Sequence, residues 1–320
     1  MSLTEPEKRS AMGERNAVNG VTIPPRELQP EQSTQIVVVD VRTGTQTVVH
    51  ERSDLLLEAP NWSLDGEHLV LNGDFHLWRL DLSSGELEQI VIDGVPLLNN
   101  DHVLDRDGEH VYVSAFDWNI HRVPIAGGTG DVIRPDVALP GLKCFLHGID
   151  PAGERLAFIG VHPVSGDDWW GQADVFTMAI DGADCVQLTD GPGPSDGCEY
   201  SADGEWIYFN TETFDGHAQI ARMRLDGSDK EQLTFDEHVN WFPHLSPDGQ
   251  WACYLAFPPG TEGHPADVWV EVRLVHLEEW SSPTTVARVF GGQGTLNVNS
   301  WSPDSSAFAY VAYPTTRVAS

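Results

Sequence analysis

One tight-turn signature recurs six times along this chain, and no other feature restricts its fold so strongly. The turns are Trp62-Ser63-Leu64-Asp65-Gly66, Leu104-Asp105-Arg106-Asp107-Gly108, Ile149-Asp150-Pro151-Ala152-Gly153, Tyr200-Ser201-Ala202-Asp203-Gly204, Leu245-Ser246-Pro247-Asp248-Gly249 and Trp301-Ser302-Pro303-Asp304-Ser305. Their last positions are separated by 42, 45, 51, 45 and 56 residues, which accommodates four short strands and their loops per unit. Repeats of this length, each unable to bury its apolar face alone, are the signature of a radial or stacked array.

The segments between the turns specify strands. An apolar run such as Leu69-Val70-Leu71 or Ile207-Tyr208-Phe209 follows each turn. Next comes an alternating segment such as His76-Leu77-Trp78-Arg79-Leu80, and then a glycine turn (Ser84-Gly85, Asp181-Gly182, Asp226-Gly227). Period-two alternation bounded by Gly and Asp is the hairpin pattern, and no stretch here carries a 3.6-residue period. The prediction is all-β: a six-bladed propeller. Its sixth unit ends after its second strand, Phe308 to Tyr313, two strands short. The segments Gln35 to Val41 and Gln46 to Val49 supply the missing pair, so the N-terminal strands should close the last blade against the C-terminal one and leave no sheet edge open. The expected division is a loosely ordered arm at 1–33, with Pro24-Pro25, and one propeller domain at 34–320.

The chain resembles the TolB-like propeller family, whose repeats carry a Trp-Ser-Pro-Asp-Gly type of turn. The stretches from Asn240 to Gly249 and from Gly291 to Trp301 carry the likeness best, helped by Asn99 to His102 and Leu146 to Gly148. Too few residues precede the first strand for TolB's additional N-terminal domain, so TolB's role in a transport assembly is not expected here. A related propeller, oligogalacturonate lyase, holds a metal ion on histidines in its central region. That likeness implies that a divalent metal (zinc, manganese, iron or nickel) is worth looking for in this one.

Each inner strand leads into a turn, so residues just before the turns line the channel. Those positions hold Asn61, Asp101, His102, His147, Glu199, Asn240, His244, Asn297 and Asn299. Three imidazoles and a carboxylate from four successive blades, His102, His147, Glu199 and His244, form a candidate transition-metal set. Structural lining of a wet channel is the competing reading. His102 and His147 stand three residues before the repeated turn position, whereas Glu199 and His244 stand two before it. On regular strands that offset turns the pairs to opposite faces, and bulges would be needed to bring them together.

The loops on the same side add candidate ligand contacts at Trp169, Trp170, Glu212 and His217, beside Asn61, Asp101, Asn240 and Asn299. A tryptophan pair near carboxylates suits sugar stacking, and it suits loop packing equally. The expected function is a central-channel site for a small polar ligand, a carbohydrate or uronate and conceivably an oligosaccharide. If the site is catalytic, lyase or hydrolase chemistry is expected. The alternative is a non-catalytic protein-interaction module. No Gly-x-Ser-x-Gly elbow and no HExxH motif occurs, and Gly291-Gly292-Gln293-Gly294 precedes no helix pattern.

Charge narrows the partners. Forty-nine acidic against 18 basic residues give a net charge of −31, which opposes binding to nucleic acid or an anionic membrane surface. The four cysteines show no CxxC spacing and read as small apolar residues, and the N-terminus lacks a secretory pattern. A cytoplasmic location is the expectation.

Overall fold

The computed structural model describes residues 17–18, 21–22, 26–163 and 171–315. Among these there is no helix, and six antiparallel sheets are arranged as a propeller. Blade 1 runs through Leu57–Trp62, His68–Gly73, His76–Asp81 and Leu87–Ile90. Blades 2 to 5 repeat that four-stranded order, with inner strands Leu98–Leu104, Lys143–Ile149, Ser195–Tyr200 and Val239–Leu245. Blade 6 closes the ring. Ala307–Ala312 pairs with Thr34–Asp40 in a continuous antiparallel register from Ala307 opposite Asp40 to Ala312 opposite Gln35, and Gln46–Arg52 lies outside it. Where the other blades have an inner ladder strand, blade 6 has only the Trp301–Phe308 bridge, so its channel-facing segment is an irregular loop around Asn297 and Asn299.

The repeated turn works by side-chain capping. Ser63 Oγ donates to Asp65 at 2.5 Å and accepts from the His68 amide, while Asp65 accepts from the Glu67 amide. The same Ser-to-Asp bond recurs at Ser201, Ser246 and Ser302 at 2.6 to 2.7 Å. The last turn position is left-handed in each blade; glycine serves five times, and Ser305 takes φ 61° in the sixth.

The core is divided among the joints between blades. Six apolar clusters each draw on two neighbouring sheets, including Ile36, Val311 and Tyr313 against Leu57 and Leu69 at the closure, and Phe308 and Tyr310 against Trp241 and Leu255 on its other side. At about 25 cal/mol per Å² of buried apolar surface, every joint contributes, so the ring is stable only when all six are made.

Residues 26–33 lead into blade 6. Gln32 bridges to Thr315 and Ser33 N–H donates to Pro314, while Arg26 reaches the mouth of the channel. Residues 17–18 and 21–22 form a two-stranded ladder.

Candidate functional site at the channel mouth

Each inner strand starts at one mouth of the channel and runs down to the repeated turns at the other. The hairpins joining second to third strands return to the first mouth. A cavity of about 420 Å³ opens there, and all six blades line it: Glu58, Asp101, His147, Asp196, Phe242 and Asn297 stand for blades 1 to 6. A second cavity of about 250 Å³ lies at the turn end, lined by Asn61, Glu199, Asn299 and turn residues such as Leu64 and Pro247. His147 borders both and forms the neck between them.

A bulge aims His147. In the pairing of Lys143–Ile149 with Arg155–Val161, Leu146 faces Phe158 and Gly148 faces Ala157, so His147 is the extra residue. The inner strands of blades 1, 2, 4 and 5 carry register shifts as well, with left-handed residues at Ala59, Gly197 and Phe242. A phenylalanine at φ 57° is strained backbone, held by Asn210 Oδ1 accepting from its amide and by His147 stacked at 5.8 Å.

One side of the cavity is acidic. His147 Nε2 lies 3.2 Å from Asp196 Oδ1, and Asp196 Oδ2 lies 3.9 Å from His264. Asp101 is buried and accepts from Asn99 at 2.7 Å. Burial pushes the Asp101 carboxyl up to about 6, against the opposing pull of His147. Burial alone would lower His147, but Asp101 and Asp196 outweigh it and raise the imidazole above its usual value. Burial likewise works against ionised Asp196, but the His147 and His264 imidazoles hold that carboxyl below the normal range. Aromatic rings line the cavity as well, those of Phe75, Phe116, Trp118 and Phe145. Phe75 and Phe116 meet edge to face at 5.6 Å, Phe116 and Trp118 at 5.8 Å, and Trp118 and Phe145 tilt together at 6.1 Å. Phe75 and Trp118 sit in the hairpins at φ 63° and 66°, unusual for aromatic residues.

Arg26 fills a corner of the mouth. Its guanidinium donates to Glu58 at 2.7 Å, to Asp267 at 3.0 Å and to the Gln293 carbonyl at 2.7 Å, and lies 4.4 Å above the Tyr313 ring. Burial disfavours its charge, yet Tyr313 and the two carboxylates keep it firmly protonated.

The four residues expected to ligate a metal do not share one point. His102 is wholly buried between blades 1 and 2, its Nδ1 2.6 Å from Asn72 Oδ1 and its Nε2 3.3 Å from the Val70 carbonyl. His244 Nδ1 is 2.8 Å from Glu199 and its Nε2 is 3.2 Å from the Leu296 carbonyl. In both rings each nitrogen is already engaged by a protein group, so neither ring turns a nitrogen toward a shared point. Glu199 is spent as well, accepting from the Leu245 amide and from Asn299. Only His147 reaches the main cavity. Among the described residues, the His and carboxylate groupings compact enough for an ion lie on two turns, Asp65-Glu67-His68 and Asp105-Asp107-His110, and the second already binds Arg122. The quartet therefore does not fit a metal.

Of the expected ligand contacts, Asp101 lines the main cavity, while Asn61 and Asn299 line the smaller one. Asn240 is buried behind blade 4, bonded to Gln219 and Thr234, and His217 bonds the Asp236 carbonyl; neither these nor Glu212 borders a cavity. Trp169 and Trp170 lie outside the described residues. Sequence reasoning pointed to the loop that ends at His264 but missed Asp196, Arg26 and the aromatic wall. Its available signal was the bulky aromatic placed in each second-to-third-strand hairpin of blades 1 and 2, on the same mouth as the inner-strand starts.

No protein-family model matches the chain. An uncharacterized protein of Agrobacterium fabrum is 36% identical over 285 residues, 88% of this chain and 92% of that one. A solved structure from Agrobacterium tumefaciens, described as a candidate TolB, superposes with TM-score 0.81 at 34% identity, covering 89% of this chain and 99% of the other. An oligogalacturonate lyase of Vibrio parahaemolyticus aligns at 13% identity and TM-score 0.49 over 83% of this chain and 74% of its own, too distant to bear on the site.

Proposed function

Since this chain belongs to the TolB-like family of six-bladed propellers, we propose that it is a small-ligand-binding propeller whose site is the cavity at the inner-strand mouth. The observation that carries this reading is the cavity's mixed lining: four aromatic rings from blades 1 to 3 together with a buried Asp101–His147–Asp196 cluster. A few convergent polar groups in a concave apolar wall are the usual make-up of a ligand site, and 420 Å³ holds a molecule of one or two rings. A sugar ring meets these demands, with an apolar face for the aromatics and hydroxyls for Asn99, Asn100 and Asp101. A uronate meets them poorly, because its carboxylate would enter beside Glu58, Asp101 and Asp196. If chemistry occurs, His147 is placed to move a proton between two carboxylates of different basicity. The family likeness also admits a protein partner docking on this mouth.

Ligand-detected NMR against a library of monosaccharides and one- and two-ring fragments tests the reading. Compounds should bind the parent and lose about 1 to 3 kcal/mol of affinity in Phe116→Ala and Trp118→Ala, the worth of an aromatic contact. Binding that both variants leave unchanged would move the site elsewhere.

A further inference from the structure

The charges around this cavity reach further than its shape. Four carboxylates border it, Glu58, Asp74, Asp101 and Asp196, against one permanent cation, Arg26, and the imidazoles of His147 and His264. Arg26 is consumed by Glu58 and, at the rim, by Asp267. The nearest lysine, Lys143, places its ammonium 5.4 Å from the Trp118 ring and does not border the cavity. His147 is left to serve both Asp101 and Asp196. Asp101 is only 6% exposed, yet among the described residues it has no Arg or Lys partner, and Asn99 bonds only its Oδ2, with no hydrogen bond to Oδ1 from those residues. A buried carboxylate with a free oxygen, opening on a space walled by aromatic rings, lacks a cation.

The chain itself shows how such a seat is filled. In the adjoining corner a guanidinium lies over the Tyr313 ring and between two carboxylates. The Asp101 part of the cavity offers the same chemistry: carboxylates together with the rings of Phe75, Phe116 and Trp118. Ring faces attract cations electrostatically, most strongly where water is excluded.

We propose that the cavity's ligand is a small organic ammonium ion, its charged nitrogen at Asp101 and Asp196 and its body against the Phe75–Phe116–Trp118 wall. This rests on the proposed site and adds the sign of the ligand's charge. An amino sugar or an arylalkylamine has the required chemistry; a neutral sugar has half of it, and a uronate has the wrong sign. With a chain charge of −31, the long-range field also favours arrival of a cation.

The test is isothermal titration of the full chain at pH 7.5 with two charge-matched sets: glucosamine, glucose and glucuronate, and phenethylamine, 2-phenylethanol and phenylacetate. In at least one set the ammonium member should bind about tenfold or more tighter than its neutral counterpart, with no binding by the acid. Asp101→Asn should abolish that preference, bringing the ammonium member down to the affinity of its neutral counterpart. Asp196→Asn provides the second readout should the first variant fold poorly. Neutral members binding as tightly as ammonium members would overturn the charge assignment and leave the site standing. Binding by no member of either set, at millimolar concentration, would overturn both.

Discussion

His244 and His147 both lie on inner strands, each one blade away from Glu199, and they do different work. His244 is wholly buried and joins three blades: Glu199 of blade 4 on one nitrogen, the Leu296 carbonyl of the blade 6 loop on the other. Glu199 extends the joint to the Leu245 amide and to Asn299. His147 has an acidic partner too, but that partner, Asp196, opens on a cavity, and Asp101 beside it has no Arg or Lys partner among the described residues. One station spends its polarity on holding the ring together. The other keeps polarity available, and burial of Asp101 opposes folding at neutral pH. Buried polar groups that are fully satisfied act as staples, and those left partly satisfied in a cavity are where a ligand belongs.

Removing the staple should have the largest effect. Glu199→Ala strips acceptors from His244, the Leu245 amide and Asn299 together, and denaturant titration should show a loss of about 3 to 5 kcal/mol. Next is the acid response of His102, which burial lowers to about 4. It is neutral in the fold, so its stability is intact above pH 6.5 and is lost as pH falls toward 4, when the unfolded chain takes up the proton first. His102→Gln should flatten that decline by roughly 2 to 3 kcal/mol between pH 6.5 and 4. The smallest effect has the opposite sign. Asp101 has a raised carboxyl, so its stabilising share is present below pH 3.8 and is lost as pH rises through about 6. Asp101→Asn should therefore stabilise the protein by about 1 to 3 kcal/mol at pH 7, with the gain vanishing near pH 4.

The ring was legible because it is written in turn chemistry. Three turns are Ser-x-Asp-Gly and the other three are close variants of it that form the same capped left-handed turn, and six such turns with a two-strand deficit at the C-terminus point to closure by the first strands. The channel positions were legible to the same depth: His102, His147, Glu199 and His244 do all lie on inner strands. Which way each faces was not. The odd offset between His147 and His244 is resolved by bulges at Leu146/Gly148 and Trp241/His244, and nothing in Ala59 or Phe242 announces a positive φ. Asp196 was hidden by its distance from the turn, and Arg26 by lying in a segment with no repeat to compare. The rings of Phe75, Phe116 and Trp118 belong to hairpins whose residues are free to vary once the turn forms, so they follow no period.

The channel's polar residues thus divide into staples and a ligand seat. Parallel urea titrations at pH 7 of the parent, Glu199→Ala and Asp101→Asn test it most directly, because both carboxylates are buried and both lie within the propeller's channel. The account predicts midpoints displaced in opposite directions, lower for Glu199→Ala and higher for Asp101→Asn. Destabilisation by both would make Asp101 one more structural partner and contradict the division.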